Sequence, residues 1–474
     1  MVHEMSLRPA LWPLTILPLT LVGCAPSVQI AVPPNISSEA WTLDQAGSPI
    51  EIATPASLGA LLGSQELEQL IVQARQRNTQ IGVASARIRQ ARGLLQAARG
   101  SMLPVVSGSA GISQSRNSNA GNPFDFSESF VGIDLEFDVD LFGGERAARR
   151  ASQHRVQAAQ QNRDAIGLAI EADVARAFVR RAALAERIAI LDRNTQQALD
   201  LERIIGARFR AGDATRVDLG LQTIQVRQLQ TERLRLLEAL DRSRTALAVL
   251  VGEEAPLFRI TPPSLSSLAV AELSPMQPAV LLARRPDVRT AEQVMLAASG
   301  DITEARAAFL PRLSLSARGL LQTISLTGPL SSGSSIGLDL LGPIFDRGRL
   351  RGNLEFVSGR QMEAVELYRE TMLTALAETE DAMSASQLAR EREVLIGQIV
   401  EQAALTARLA RLQYIGGEAD LQRVLDAEQL LSAAEDAAAI VRQERLEASI
   451  DIFRAIGGAP AVTADSGRHI ASRR

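Results

Sequence analysis

Two periods divide this chain. Between about residues 104 and 142 apolar and polar side chains alternate. Val106, Gly108, Ala110 and Ile112 interleave with Ser107, Ser109, Gly111 and Ser113, and Ile133, Leu135, Phe137, Val139 and Leu141 interleave with Asp134, Glu136, Asp138 and Asp140. A period of two puts each set on its own face of a strand. The second strand therefore has one greasy and one acidic face. A soluble sheet with a wet face would alternate in the same way, but four successive carboxylates suit the lumen of a water-filled barrel whose other face meets lipid. The period returns between about 311 and 345, where Leu313, Leu315 and Ala317 alternate with Ser314, Ser316 and Arg318. It is weaker in Ile336-Gly337-Leu338-Asp339-Leu340, with Asp339 on the polar side.

Elsewhere the period is helical. From about Arg146 to Ala211 and from about Gly348 to Ile415 no Pro interrupts apolar positions three and four apart; Ile166, Ile170, Val174, Ala177, Leu184, Ile188 and Leu191 trace one stripe. At 1.5 Å per residue, such a helix is about 100 Å long. That length predicts a coiled-coil-like assembly, and Ala on more than one face lets each helix pack against two neighbours, as a closed ring of helices requires. Pro104 and Pro311 end the helices before the strands, because the proline ring clashes with the preceding turn.

The pattern occurs twice. Ala98-Arg99 before Leu103-Pro104 matches Ala305-Arg306 before Leu310-Pro311 at an offset of 207. Phe142-Gly143-Gly144-Glu145-Arg146 resembles Phe345-Asp346-Arg347-Gly348-Arg349 at 203, and Phe209-Arg210-Ala211-Gly212 resembles Tyr414-Ile415-Gly416-Gly417 at 205. Three landmarks in one order imply a duplicated unit of helix, two strands, long helix, Gly turn and helix. The predicted fold class is mainly α with a small β part: a long α-helical barrel plus four strands per chain. Four strands cannot close on themselves and open edges are not tolerated in lipid, so several chains share one transmembrane β-barrel.

The start reads as a signal peptide over 1–23, with Arg8, an apolar stretch from Ala10 to Thr20, and Leu21-Val22-Gly23 before Cys24, the only Cys. This predicts a lipobox with Cys24 acylated, and Ala25 rather than Asp after it agrees with delivery to the outer membrane. The other reading is a lone structural cysteine in an apolar helix. The remaining divisions are a lipidated segment 24–62, a first repeat 63–251, an equatorial connection 252–278, a second repeat 279–457 and a flexible tail 458–474.

Composition narrows the function. The 474 residues are 46% hydrophobic, 22% charged and 3% aromatic, material for long close-packed helices. A formal charge of −4 supplies no basic field for nucleic acid. His3, His154 and His469 are far apart and without a Cys partner, and no nucleophile elbow, Walker loop or His-Glu-x-x-His occurs, so neither a catalytic apparatus nor a metal or cofactor site is expected.

Together these residues resemble the TolC-like outer-membrane efflux factors, in particular the lipoprotein (NodT-type) branch serving RND-type multidrug pumps. The resemblance rests on Cys24, the duplicated unit, Leu281-Leu282-Ala283-Arg284-Arg285-Pro286-Asp287, Gly342-Pro343-Ile344-Phe345-Asp346 and Leu425-Asp426-Ala427 in their joint order. It implies a homotrimer in which each protomer gives four strands to one twelve-stranded barrel, continued by a helical barrel across the periplasm. It also implies a passive duct for drugs or small solutes, joined by a periplasmic adaptor to a proton-driven inner-membrane RND transporter. A type I protein-secretion duct would share this architecture, and a structural periplasmic coiled-coil lipoprotein would share the long helices and Cys24.

The resemblance places Gly212 and Gly417 in turns at the periplasmic tip and Asp426 in a carboxylate ring that narrows the closed duct. Some relatives carry a second acid one turn earlier, where this chain has Arg423 with Gln422 beside it. At the offset of 205 Arg423 corresponds to Asp218, so a second possibility is that Asp218 pairs with Arg423 between neighbouring hairpins. A third is that Asp426 and Arg423 form only a surface pair three residues apart.

Overall fold

The computed structural model describes residue 41 and residues 57–119, 122–270, 277–323 and 328–458, with the backbone alone at 117–119 and 122–126. The expectations for 1–23, Cys24, His3, His469, 459–474 and most of 24–62 lie outside these residues.

In chain order the elements are α1 (Leu58–Leu61), α2 (Gln65–Arg77), α3 (Thr79–Gly100), β1 (Val105–Asn119), β2 (Asn122–Val139), α4 (Gly144–Ala211), α5 (Arg216–Val251), α6 (Pro278–Arg284), α7 (Pro286–Ala307), β3 (Arg312–Thr323), β4 (Ser331–Leu341), α8 (Arg347–Gly416) and α9 (Leu421–Ala455). Helix, two strands, long helix and shorter helix recur as the sequence predicts. The two long helices have 68 and 70 residues. The compact units cut across the repeats: one combines Gly100–Ala148 with Gly300–Gly359, and the other takes in the rest of the described chain.

In the strand unit the four strands form one antiparallel sheet in the order β1-β2-β3-β4, so the central pairing, β2 with β3, joins the two repeats. Register decides the faces, because residues opposite one another in a ladder share a side. Asp134 lies opposite Ser107 and Arg318, and Asp138 lies opposite Ser314, itself opposite Asp339. The other side carries Val106, Ile133, Leu135, Phe137, Leu313, Leu315, Ile336, Leu338 and Leu340. That apolar side is left uncovered by the described residues: Ile133 is 62% and Ile336 82% exposed. Beyond the strands Ile302, Ala305 and Leu354 form a small core with Phe309 and Val357.

In the helical unit the largest core gathers α1, α2, α4, α5 and α9 around Phe178, Val174, Leu247, Leu446 and Phe453, together with Phe258, Leu265 and Leu268 from the connection after α5. Of the predicted α4 stripe, Ile170, Val174, Leu184, Ile188 and Leu191 are buried. The connection is anchored by polar contacts: the buried Arg181 donates to the carbonyls of Leu240 (3.0 Å) and Ile260 (2.9 Å), and Ala269 N–H donates to Leu62 O at 3.1 Å. One boundary moves. Gly457, expected at the end of the second repeat, and Gly458, expected at the start of the tail, have φ of +85° and +78°, and their N–H groups donate to Arg454 O and Phe453 O. They close α9 and satisfy its last carbonyls.

Candidate functional site

Three places carry the candidate chemistry: the polar face of the sheet, a buried arginine at the start of the second repeat, and the two hairpin turns.

On the sheet, Asp134, Glu136, Asp138 and Asp339 share one face, as alternation predicts. Arg318 Nε donates to Asp134 at 2.5 Å and Ser109 Oγ donates to its other oxygen at 3.1 Å. Ser314 donates to Asp138. The acidic row is thus tied down by hydroxyls and one guanidinium. Asp140 departs from the expectation. β2 stops at Val139, and the Asp140 carboxylate turns to accept from Arg146 N–H and Arg146 Nε, each at 3.0 Å. The unpaired N–H groups and positive dipole at the start of α4 compete for this acid, which is a helix-end residue here.

The structure gives the Arg285-Pro286-Asp287 motif a role that spacing alone did not. Pro286 opens α7, and Arg285, 6% exposed, holds Asp287 through Nε (3.1 Å) and Nη2 (2.7 Å). The same guanidinium reaches Glu378 on α8 at 2.7 Å and the carbonyls of Ala375 and Ala455. Burial works against the Asp287 carboxylate, yet the arginine beside it holds its pKa below the ordinary value. This cation ties α7, α8 and the end of α9 together, over a core of Leu281, Leu282, Val288, Met372 and Ile452 with Trp41. His154 meets a neutral partner, Gln293, at 2.8 Å.

At the turns, Gly212 and Gly417 have φ of +89° and +81°, a region that disfavours a Cβ. Asp213 N–H returns to Arg208 O and Glu418 N–H to Gln413 O, each at 2.8 Å, so both long helices end in the same motif. Both turns lie at one end of the helical unit. Leu201 and Ile205 of α4 cluster with Ala410 and Tyr414 of α8 and Leu421 and Val424 of α9, and Arg208 stacks 4.7 Å over the Tyr414 ring while donating to the Tyr414 and Ile415 carbonyls.

The residues after the turns differ from both pairings considered above. Asp218 is engaged in its own hairpin: its carboxylate accepts from Thr215 N–H and Oγ1, each at 2.8 Å, and its N–H donates back to Thr215 Oγ1. Position three of a helix is where an acid closes a capping box, which removes Asp218 as the partner of Arg423 within the chain. Arg423 uses its backbone N–H on the capping Asp420 carboxylate at 3.0 Å. Asp426 is exposed and accepts from Gln422 Nε2 at 2.8 Å, four residues away, so its surface partner is Gln422 and not Arg423.

Residue patterns did not reveal a nearby pair. Arg411 of α8 lies 3.3 Å from the half-buried Glu428 of α9 and donates to Gln197 O of α4 at 2.9 Å. Burial pushes the Glu428 carboxyl up, and Arg411 offsets this only in part. A signal did exist: at the offset of 205 these positions are Gly206 and Thr223 in the first repeat, two places where the repeat diverges to charge.

Residues 70–253 and 278–458 match the profile of the family described as outer membrane efflux protein, one match for each repeat. The chain is 32% identical over 418 residues to the pyoverdine export outer membrane protein OpmQ of Pseudomonas aeruginosa, covering 84% of this chain and 86% of that one. It is 28% identical over 450 residues to outer membrane protein OprJ of the same organism, covering 93% and 94%. A crystal structure of a membrane protein from Pseudomonas aeruginosa superposes with a TM-score of 0.82 at 27% identity, covering 92% of this chain and all of that one. With the two-faced sheet, the paired long hairpins and both repeats accounted for, the chain belongs to the outer membrane efflux protein family and is an outer-membrane channel of the efflux type that extends into the periplasm.

Proposed function

We propose that this protein is a homotrimeric exit duct of a tripartite pump, carrying small solutes outward and receiving them through a periplasmic adaptor from an inner-membrane RND transporter. The observation that carries the reading is the open sheet. β1 and β4 end the strand order, and the described residues leave the side bearing Ile133, Ile336 and Leu338 uncovered. Edges and apolar face are satisfied together when further copies complete a barrel with Asp134, Glu136, Asp138 and Asp339 lining its lumen and the apolar side in lipid. The name of OpmQ, a protein of pyoverdine export, supports a small-molecule cargo. Cys24, alone behind an apolar segment, is the acylated N-terminus that adds an anchor to the span. Asp426, exposed on the first turns of α9, is the gate acid, because three copies around one axis bring three such carboxylates together.

Native mass spectrometry in detergent checks the assembly, with the mass of three lipidated chains expected. A stable monomer with an intact sheet overturns the duct. In planar bilayers Asp426→Ala raises or destabilises the closed-state conductance, and parental conductance in that variant places the gate elsewhere.

A further inference from the structure

Along β2 the two faces exchange character. From Val139 to Val131 the odd-numbered positions are apolar, and the even-numbered ones include Asp138, Glu136 and Asp134. From Phe130 to Asn122 the order is reversed. Phe130, Phe126 and Phe124 stand at even positions, with Glu128 among them, while Ser129, Ser127 and Asp125 stand at odd ones. The ladder with β1 keeps one register from Val105 opposite Glu136 to Asn119 opposite Asn122. A period of two therefore leaves Phe124, Phe126 and Phe130 on the face of Asp134. Phe130 shows this directly: it lies over Gly111, its partner across the ladder, where an added Cβ would fall 2.6 Å from the ring.

The neighbouring strands change at the same level. On the apolar face of β1, Val106, Ala110 and Ile112 give way to Gln114 and Arg116, opposite Ser127 and Asp125. On β3 Leu321, opposite Val131, is followed on that face by Thr323, opposite Ser129. From Val139 to Val131 the apolar band of β2 runs ~27 Å at about 3.4 Å per residue, close to the ~25 Å apolar band of an outer-membrane barrel. The chain beyond it is therefore outside the hydrocarbon. β3 pairs only with Ser129 to Val139, so residues 122–128 and their β1 partners 113–119 form a two-stranded arm reaching about 24 Å past that ladder. α3 and α4 join the opposite end of these strands, so with the helices in the periplasm the arm stands at the external mouth.

An interfacial girdle does not account for the phenylalanines. The aromatic girdles of membrane barrels stand on the lipid side, where this arm has Ser129, Ser127 and Asp125. An apolar row on the water side of a projecting arm is stabilised by meeting its own kind or an apolar ligand.

We infer that the arms of three copies surround the external mouth with their Phe124, Phe126 and Phe130 faces inward, forming an aromatic collar that holds back hydrated ions and offers flat aromatic solutes a stacking site on their way out. An apolar ring sheds water and so resists hydrated ions, and aromatic rings accept offset or edge-to-face neighbours. The inference rests on the duct reading and adds to it a cargo chemistry and a narrow point separate from Asp426.

The test labels a thiol beneath the collar. Glu136→Cys is made in the full chain and treated in whole cells with a charged, membrane-impermeant maleimide, with the chain lacking this substitution giving the background from Cys24. Replacing the three phenylalanines by Phe124→Ser, Phe126→Ser and Phe130→Ser is expected to speed labelling about tenfold, because the apolar ring is gone. Ser127→Cys, on the other face of the arm, labels equally fast in both backgrounds. Phe124→Leu, Phe126→Leu and Phe130→Leu keep the ring apolar, so labelling stays slow. Added 1-naphthylamine, a flat aromatic amine, slows labelling of Glu136→Cys further when the phenylalanines are present and has no effect in the leucine variant. A trimer by native mass whose Glu136→Cys labels as fast with the phenylalanines as with the serines overturns the collar and leaves the duct standing. A naphthylamine effect that is absent with the phenylalanines, or equal with the leucines, overturns the stacking site. A monomeric native mass for the phenylalanine-bearing chain overturns duct and collar together.

Discussion

The two hairpins, α4–α5 and α8–α9, share one hydrogen-bonded frame and differ in what they hang on it. At the offset of 205 the turn glycines Gly212 and Gly417, the returning bonds from Asp213 and Glu418, and the caps Thr215 and Asp420 all coincide. The side chains then part. The first hairpin closes a reciprocal capping box with Asp218, whereas the second has Arg423 at that position and no acid in its first helical turn. On the outward face the first shows Val217, Leu221 and Ile224, and the second Gln422, Asp426 and Gln429. Duplication kept the backbone geometry, which any rigid hairpin needs, and let the surface diverge, so that one exposed hairpin face is apolar and the other polar.

The largest expected effect comes from exchanging that difference. Leu221→Asp puts a carboxylate in the exposed apolar stripe Val217, Leu221 and Ile224 of α5, and where assembly of the proposed trimer buries that stripe an uncompensated charge costs about 3–5 kcal/mol. The variant is expected to lose its trimer by native mass in detergent. Asp426→Leu at the equivalent place keeps the trimer. If the two variants assemble equally well, the hairpin faces are not specialised as described.

Next comes the shared frame. Gly212→Val and Gly417→Val each force a β-branched residue to φ near +85°, costing about 1–2 kcal/mol or somewhat more. No neighbour lies within 4 Å of a Cβ at either glycine, so backbone strain alone sets the penalty. Hydrogen exchange of the tip amides should report nearly equal losses of protection. A loss confined to one hairpin would mean that the frames are not equivalent.

These features were not equally legible in the sequence. The strands announced themselves because alternation with charge has few other causes, and the ladder keeps Asp134, Glu136, Asp138 and Asp339 on one face. The long helices were legible from uninterrupted spacing. Asp140 misled because its alternation continues past the strand, and only the start of α4 shows what claims it. The roles of Arg285 and of the Arg411–Glu428 pair depend on contacts between segments far apart in sequence, which no local pattern encodes. The offset of 205 offers Asp218 as one possible inter-hairpin charge, although Thr215-x-x-Asp218 is itself a cap signature in which acid and hydroxyl satisfy each other.

The caps should show the comparison at smaller scale. Thr215→Ala removes the hydroxyl half of the box and leaves the Thr215 N–H bond to Asp218, and is expected to cost about 1 kcal/mol of protection at the first tip. Arg423→Glu gives the second tip the acid it lacks, able to reach back to the Asp420 N–H, and also removes a cation from the positive end of a helix dipole, so α9 gains protection by about 0.3–1 kcal/mol. Unchanged protection in Arg423→Glu would show that the second tip is already as well closed as the first.

The smallest effect is the dependence of the second tip on pH. Glu428 sits where the first hairpin has Thr223, and Thr223 is a neutral donor to Glu202 at 2.6 Å. Burial raises the Glu428 pKa above the ordinary glutamate value, with Arg411 opposing it. The fold therefore favours the protonated carboxyl relative to the unfolded chain. For such a group the folded state binds more protons than the unfolded one between the two pKa values, so stability falls as pH rises across that window. The contribution is fully present below the unfolded value of about 4.3 and is lost as pH climbs through the raised folded value. The lost stability belongs to the place where Glu428 holds α9 against Arg411 of α8, and Arg411 in turn holds Gln197 of α4. Hydrogen exchange corrected for the intrinsic pH dependence should show the α8–α9 tip loosening over this window relative to the α4–α5 tip. Glu428→Gln keeps the size and a hydrogen-bonding oxygen but cannot ionise, so it should bring the two tips to the same pH slope. A difference in slope that survives in Glu428→Gln would assign the pH response to another group and leave the hairpins distinguished by their caps and faces alone.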